Sequence, residues 1–125
     1  MGDAEIRAEL ERHWAACDAG DQEAVHEIYH ADCVIEWPQS GERIRGRESI
    51  KALRESHPSR LGFETRRILG GGELWITEYV ITYDGEPVHT VSIMEFRDGK
   101  VARETHYFAD PFEPPEWRAR WVEMM

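Results

Sequence analysis

Glu104, His106, Phe108 and Asp110 occupy alternate positions near the end of VHTVSIMEFRDGKVARETHYFAD, residues 88–110. In an extended chain, alternate residues share a face, so one surface would carry two acids, an imidazole and an aromatic ring. Burying such a face is costly unless the groups are paired and used. Glu104 and His106 would lie about 7 Å apart at Cα, close enough for their side chains to meet. A carboxylate beside imidazole raises the histidine pKa and fixes its tautomer, whereas burial lowers it. The balance of the two can leave a base active near neutrality. The competing reading is an outward salt-bridged pair with Arg103 or Arg66 as partner. Strand parity separates the two: if Arg103, Thr105 and Tyr107 face inward, the site disappears. Asp110 precedes Pro111 and suits either a rim position or a helix cap.

Two other histidine patterns stand out. His13 falls within the stripe Ile6, Leu10, His13, Trp14 and Cys17, where it could be a core histidine bonded to a backbone carbonyl. As a neutral imidazole it could also donate one hydrogen bond to a ligand oxygen. His26-Glu27-Ile28-Tyr29-His30 matches HExxH, which in zinc proteases places two ligands on one helix face. On a helix here, Ala24, Val25, Ile28 and Tyr29 would form the buried side, leaving His26, Glu27 and His30 towards solvent. No unambiguous third ligand follows, so no metal is assigned.

Positioning these residues requires helices first and strands after. The apolar stripe predicts a helix from Asp3 to about Ala19, with Gly20 as C-cap and Asp21 as N-cap of a second helix reaching about Ala31. Cys33–Trp37 reads as a short strand stopped by Pro38, and a further extended piece surrounds Ile44. Arg47–Ser56 reads as a third helix ending before His57-Pro58. Strands are expected over Phe63–Leu69, Glu73–Tyr83, Val88–Phe96 and Val101–Ala109. Asp84-Gly85 and Asp98-Gly99 supply hairpin turns. In the tail, Trp117, Trp121 and Val122 are expected to dock a short helix or extended cover over Glu116–Glu123. This order is α+β. In Val88–Phe96 both parities are semi-apolar, which implies cover on both sheet faces and a second subunit on the outer one.

Composition narrows the function. The 125 residues suffice for one domain, residues 1–125, and 41% hydrophobic residues with five tryptophans exclude disorder. A net charge of −10 argues against nucleic acid or an anionic membrane as partner. Arg43, Arg45 and Arg47 are too interleaved with acids to form a binding stripe. Cys17 and Cys33 form no CxxC pair, and Met1–Leu10 carries acids where a signal peptide needs an apolar run. A reduced, cytoplasmic protein is the expectation.

Ala19-Gly20-Asp21, the stretch YHADCVIEWP from Tyr29 to Pro38, GRESI at residues 46–50 and the Gly99–Phe108 meander resemble one family in order and spacing. It is the SnoaL-like and ketosteroid-isomerase-like branch of the nuclear-transport-factor-2-like superfamily. The resemblance implies a curled antiparallel sheet forming a cone closed by three N-terminal helices, a cystatin-like α+β barrel that often dimerises. It also implies an apolar pocket. Its wall would include Trp75, Thr77, Tyr79 and Ile81; Thr90, Ser92 and Met94; and Glu104, His106 and Phe108. Ile35 and Trp37 would line the mouth, and His13 and Trp14 would reach in from the first helix. Val80, Val91, Ile93 and Tyr107 would face outward to a dimer partner. Where steroid isomerases carry a proton-shuttling carboxylate and two oxyanion donors, this chain has Trp37, His13 and Ser92, which argues against that reaction.

The family hosts isomerases, cyclases, dehydratases, hydrolases and binding modules, so fold does not give activity. The leading expectation is a homodimeric enzyme doing cofactor-free acid–base chemistry on a compact, apolar, oxygenated molecule. His106 would be the acid/base and Glu104 its orienter, with His13 and Ser92 or Tyr79 as oxygen-holding donors. The alternative is a non-catalytic small-ligand-binding or dimeric assembly module, its pocket plugged by aromatics. Whether Trp14, Trp37, Trp75, Tyr79 and Phe108 line a pocket or fill a core stays open at this level.

Overall fold

The computed structural model describes residues 1–125. Helix α1 spans Asp3–Ala19, α2 Gln22–His26 and α3 Arg47–Glu55. The strands are β1 Tyr29–Trp37, β2 Glu42–Arg45, β3 Leu61–Gly71, β4 Leu74–Tyr83, β5 Glu86–Arg97 and β6 Lys100–Ala109. They form one curled, unclosed six-stranded sheet in the order β2-β1-β6-β5-β4-β3. The fold is α+β, as expected, but the sheet is mixed. β1 runs parallel to β6, because everything from β2 to β5 lies between them as one long crossover. Both hairpin turns sit where the sequence puts them: Asp84 and Gly85 have φ of 51° and 89°, Asp98 and Gly99 of 51° and 77°.

α1 lies along the sheet's inner face and buries Ile6, Leu10, His13 and Trp14. Its polar side chains also bind edge strand β3 at two points and the turn after it at a third. Asp3 accepts from the Gly72 amide at 3.0 Å, Arg7 donates to the Ile68 carbonyl at 2.9 Å, and Asp18 accepts from the Phe63 amide at 2.9 Å. No helix is long and apolar enough to cross a membrane.

Two expectations fail. The second helix ends at His26, and Tyr29 already belongs to β1, paired with Val101. Tyr29, Cys33 and Ile35 are buried as inward residues of a bulged strand, a pattern that mimics a helical stripe at its start. His26 is therefore buried, not solvated, because α3 packs over the face assigned to water. The tail is not docked: Trp117 is 75% and Trp121 67% exposed. Pro111, Pro114 and Pro115 keep it out of the sheet, and only a 3-10 turn over Glu116–Arg118 forms.

Candidate functional site

Inward parity on the three central strands gives aligned rungs. Trp75 pairs with Met94 and Thr77 with Ser92 across β4–β5, and Met94 pairs with Glu104 and Ser92 with His106 across β5–β6. Glu104, at 0% exposure, is the hub. Its carboxylate accepts hydrogen bonds from the Tyr29 hydroxyl, the Ser92 hydroxyl and His106 Nε2, the last at 2.9 Å, and Arg54 stands 3.7 Å away. Burial works to raise the Glu104 pKa, but His106 and Arg54 outweigh it and hold the carboxyl below its usual range. Burial, reinforced by the Glu104 charge, pushes the Tyr29 phenol well up, so it stays a donor.

The His106 tautomer follows from its neighbours. The Trp37 indole, a donor only, points at His106 Nδ1 from 3.1 Å, so Nδ1 carries a lone pair and Nε2 the proton. The chain is Trp37 N–H to His106 to Glu104. Beyond Trp37 the chain turns, and the Gln39 amide takes the place of a strand residue. It donates to the Phe108 carbonyl at 2.7 Å and accepts from the Phe108 amide at 2.6 Å.

His13 is bound differently. Its Nδ1–H donates to the Val25 carbonyl at 2.9 Å, leaving Nε2 as acceptor facing the Cys17 thiol at 3.7 Å. Burial lowers the His13 pKa to about 4 and raises that of Cys17 to about 12. His13 is thus a neutral imidazole with no N–H left for a ligand, which corrects the expected donor role. Ser92 is likewise spent on Glu104. Arg54 donates to His26 Nε2 at 3.2 Å and to the Tyr29 hydroxyl at 3.3 Å. His26 therefore carries its proton on Nδ1 and gives it to the Gln22 carbonyl at 2.6 Å. His30 sits on β1, away from that helix, and bonds the Arg97 carbonyl. The HExxH match straddles a helix end and a strand and lacks the one-face geometry of a zinc helix.

Beside this network lies a cavity of about 440 Å³. Among the residues proposed from sequence, His13, Trp14, Trp37, Tyr79, Ile81, His106 and Phe108 line it. Glu104, Ile35, Trp75, Thr77, Thr90, Ser92 and Met94 do not. They lie deeper and form core: Thr77 accepts from the Trp14 indole at 3.1 Å, and the Trp75 indole bonds the Gly72 carbonyl at 3.0 Å. Phe63 joins Trp14 and Tyr79 in an aromatic cluster with ring centroids 4.3–6.4 Å apart.

The SnoaL-like domain family description matches residues 10–104. The chain belongs to the SnoaL-like family. A solved NTF-2 like protein of unknown function from Burkholderia xenovorans is 56% identical, with a TM-score of 0.92 over 100% of this chain and 98% of that one. A putative ketosteroid isomerase from Kribbella flavida is 26% identical, with a TM-score of 0.89 over 100% and 93%. An LEH-like epoxide hydrolase from M. tuberculosis is 25% identical, with a TM-score of 0.68 over 84% and 83%. No curated protein matches the chain.

Within this SnoaL-like chain, sequence reading missed Arg54 and Tyr29 as carboxylate partners. A signal for Arg54 was present: it follows Ile50, the buried residue of α3, by four positions and so shares its helix face. Tyr29 was hidden by the helical reading of its neighbourhood.

Proposed function

We propose that this protein is a small-molecule enzyme performing cofactor-free acid–base chemistry, of isomerase, cyclase, dehydratase or hydrolase type. Its substrate is compact, apolar and oxygenated, held in the aromatic-lined cavity. The supporting observation is His106, 6% exposed, lining the cavity with its Nε2–H anchored on the ionised Glu104. Glu104 itself is a poor base, because its oxygens already accept three hydrogen bonds and its pKa is depressed. His106 Nδ1 takes the substrate proton when Trp37 releases it, the electron pair moves onto the substrate oxygen, and the carboxylate stabilises the imidazolium. The proton then returns to a different substrate atom or to the leaving group. No group at Trp37, His13 or Ser92 supplies the steroid-isomerase set.

The test uses 2-tetralone, a bicyclic ketone, in deuterated water. Protein-catalysed exchange of its α-protons, followed by NMR, is expected to fall about a hundredfold or more in His106→Ala. Full exchange in a well-folded His106→Ala protein sinks the assignment. One observation favours the second reading, a non-catalytic ligand-binding module: both His106 nitrogens are already bonded. That reading predicts a ligand retained in native mass spectrometry with no exchange above background.

The chain further acts as a homodimer through the outer sheet face, where Leu74, Ile76 and Tyr107 are exposed and Val80, Val91 and Ile93 half-buried. Light scattering should give twice the 14.6 kDa chain mass, and Ile76→Asp should halve it. A wild-type monomer would refute this. Two free thiols fit a reducing cytoplasm.

A further inference from the structure

Trp37 and His106 are bonded in a way that blocks the base. The indole N–H occupies the lone pair of Nδ1, and the other ring nitrogen donates its N–H to Glu104. Pairing with β6 does not reach the indole: that parallel ladder ends at Glu36 opposite Thr105, Trp37 pairs with Glu42 of β2 on the other side, and Pro38 follows. The chain then turns, with Ser40 and Gly41 amides bonded to the Trp37 carbonyl at 3.2 and 2.9 Å. What ties this turn back to β6 is the Gln39 side chain, which makes both hydrogen bonds to the Phe108 main chain. Trp37, His106 and Phe108 all line the cavity, so the tie closes around its wall.

We propose that Gln39 is a positioning residue: its two-bond clamp on Phe108 holds Trp37 as a cap on His106 and sets how often the base is free. This rests on the acid–base reading for its consequence, but the gate itself is a separate physical claim. With the clamp closed, Nδ1 cannot accept a proton. With it open, the turn after Trp37 loosens, the Trp37 indole leaves, and the Nδ1 lone pair meets the substrate. The β1–β6 ladder, which ends at Glu36, stays intact, because the clamp is made by a side chain. The ligand class follows as well. A substrate must displace an indole from an imidazole nitrogen, so it offers an acidic C–H or O–H to Nδ1 and a flat apolar body to Phe108 and Tyr79.

The experiment is ¹⁵N NMR of the intact protein. In Gln39→Ala, the Trp37 indole N–H is expected to exchange with water about tenfold faster, the size expected from losing one or two neutral hydrogen bonds. The His106 Nδ1 resonance should move towards that of an unbonded imine nitrogen. The Trp14 and Trp75 indoles, bonded to Thr77 and Gly72, should not change and serve as internal controls. Gln39→Glu keeps the acceptor for the Phe108 amide and loses the donor, so it should fall between and covers the case where the alanine variant misfolds. Unchanged Trp37 exchange in either folded variant overturns the gate. Faster exchange of all three indoles also overturns it, since the effect is then general loosening. If Trp37 responds as expected but 2-tetralone shows no exchange in any variant, the gate stands and the acid–base reading falls.

Discussion

Two buried histidines, His13 and His106, face the same cavity and are bonded at both nitrogens, yet they are built for different work. His13 gives its proton to a neutral backbone carbonyl and turns its lone pair to a thiol. An imidazolium there would touch no carboxylate, and burial holds its pKa at about 4. His106 gives its proton to an ionised carboxylate that three other side chains hold in place. Its lone pair is covered by the indole of Trp37 at the end of β1, where that of His13 faces a thiol. Burial alone therefore does not separate a structural histidine from a candidate base. What separates them is the charge of the group that accepts the ring N–H, a neutral carbonyl for His13 and a carboxylate for His106.

The strongest way to break the contrast is Glu104→Gln. It leaves Arg54 beside an uncharged partner in a largely enclosed site and removes the anchor of His106. The expected cost is about 3 kcal/mol, a melting temperature lower by roughly 10 °C. A loss under 2 °C by thermal melting would show that the hub is not structural.

A second test separates the histidines by pH. The unfolded chain binds a proton on His13 near pH 6.5, the folded chain only near pH 4. Between these values the unfolded state holds more protons, so stability falls as pH drops from 6.5 to 4, by about 3 kcal/mol in total. His26, whose pKa burial also lowers, adds in the same direction. Below the ordinary carboxylate range, protonation of the depressed Glu104 continues the loss. His13→Gln should flatten the upper part of the curve, measured by denaturant melts at stepped pH. An unaltered slope would mean that His13 is charged when folded.

The smallest effect is expected at Cys17. Removing its weak contact to His13 in Cys17→Ala should cost less than about 2 kcal/mol. In the native protein, a thiol raised to about 12 should alkylate far more slowly at pH 8 than a free cysteine, followed by intact mass. Rapid modification would place His13 and Cys17 in a reactive pair and erase the distinction drawn above.

Strand parity was legible because alternation is a local rule: Trp75, Thr77, Tyr79, Thr90, Ser92, Met94, Glu104 and His106 all face inward. Depth was not legible. Whether an inward residue meets the cavity depends on where the helices cover the sheet, α1 over β3 and α3 over β1. Hence Tyr79 and His106 are lining, while Thr77 and Glu104, two residues earlier on the same strands, are sealed. The partners of Glu104 were equally out of reach, because Tyr29 and Arg54 lie 75 and 50 positions away in the chain and meet it only through the fold. Trp117 and Trp121 show the converse error: apolar type invited docking, but three prolines decided otherwise.

The three side-chain ties from α1 to β3 and the turn after it have a consequence for how copies of this chain can meet. An open strand edge is a template on which another polypeptide can extend the sheet without limit, the first step of fibril growth. Asp3, Arg7 and Asp18 occupy hydrogen-bonding positions along that edge and at the turn after it. The opposite edge, β2, is four residues long and carries Glu42, Arg43 and Arg45. Growth by strand addition is thus obstructed at both ends. Any contact between copies is then left to surfaces other than the strand edges.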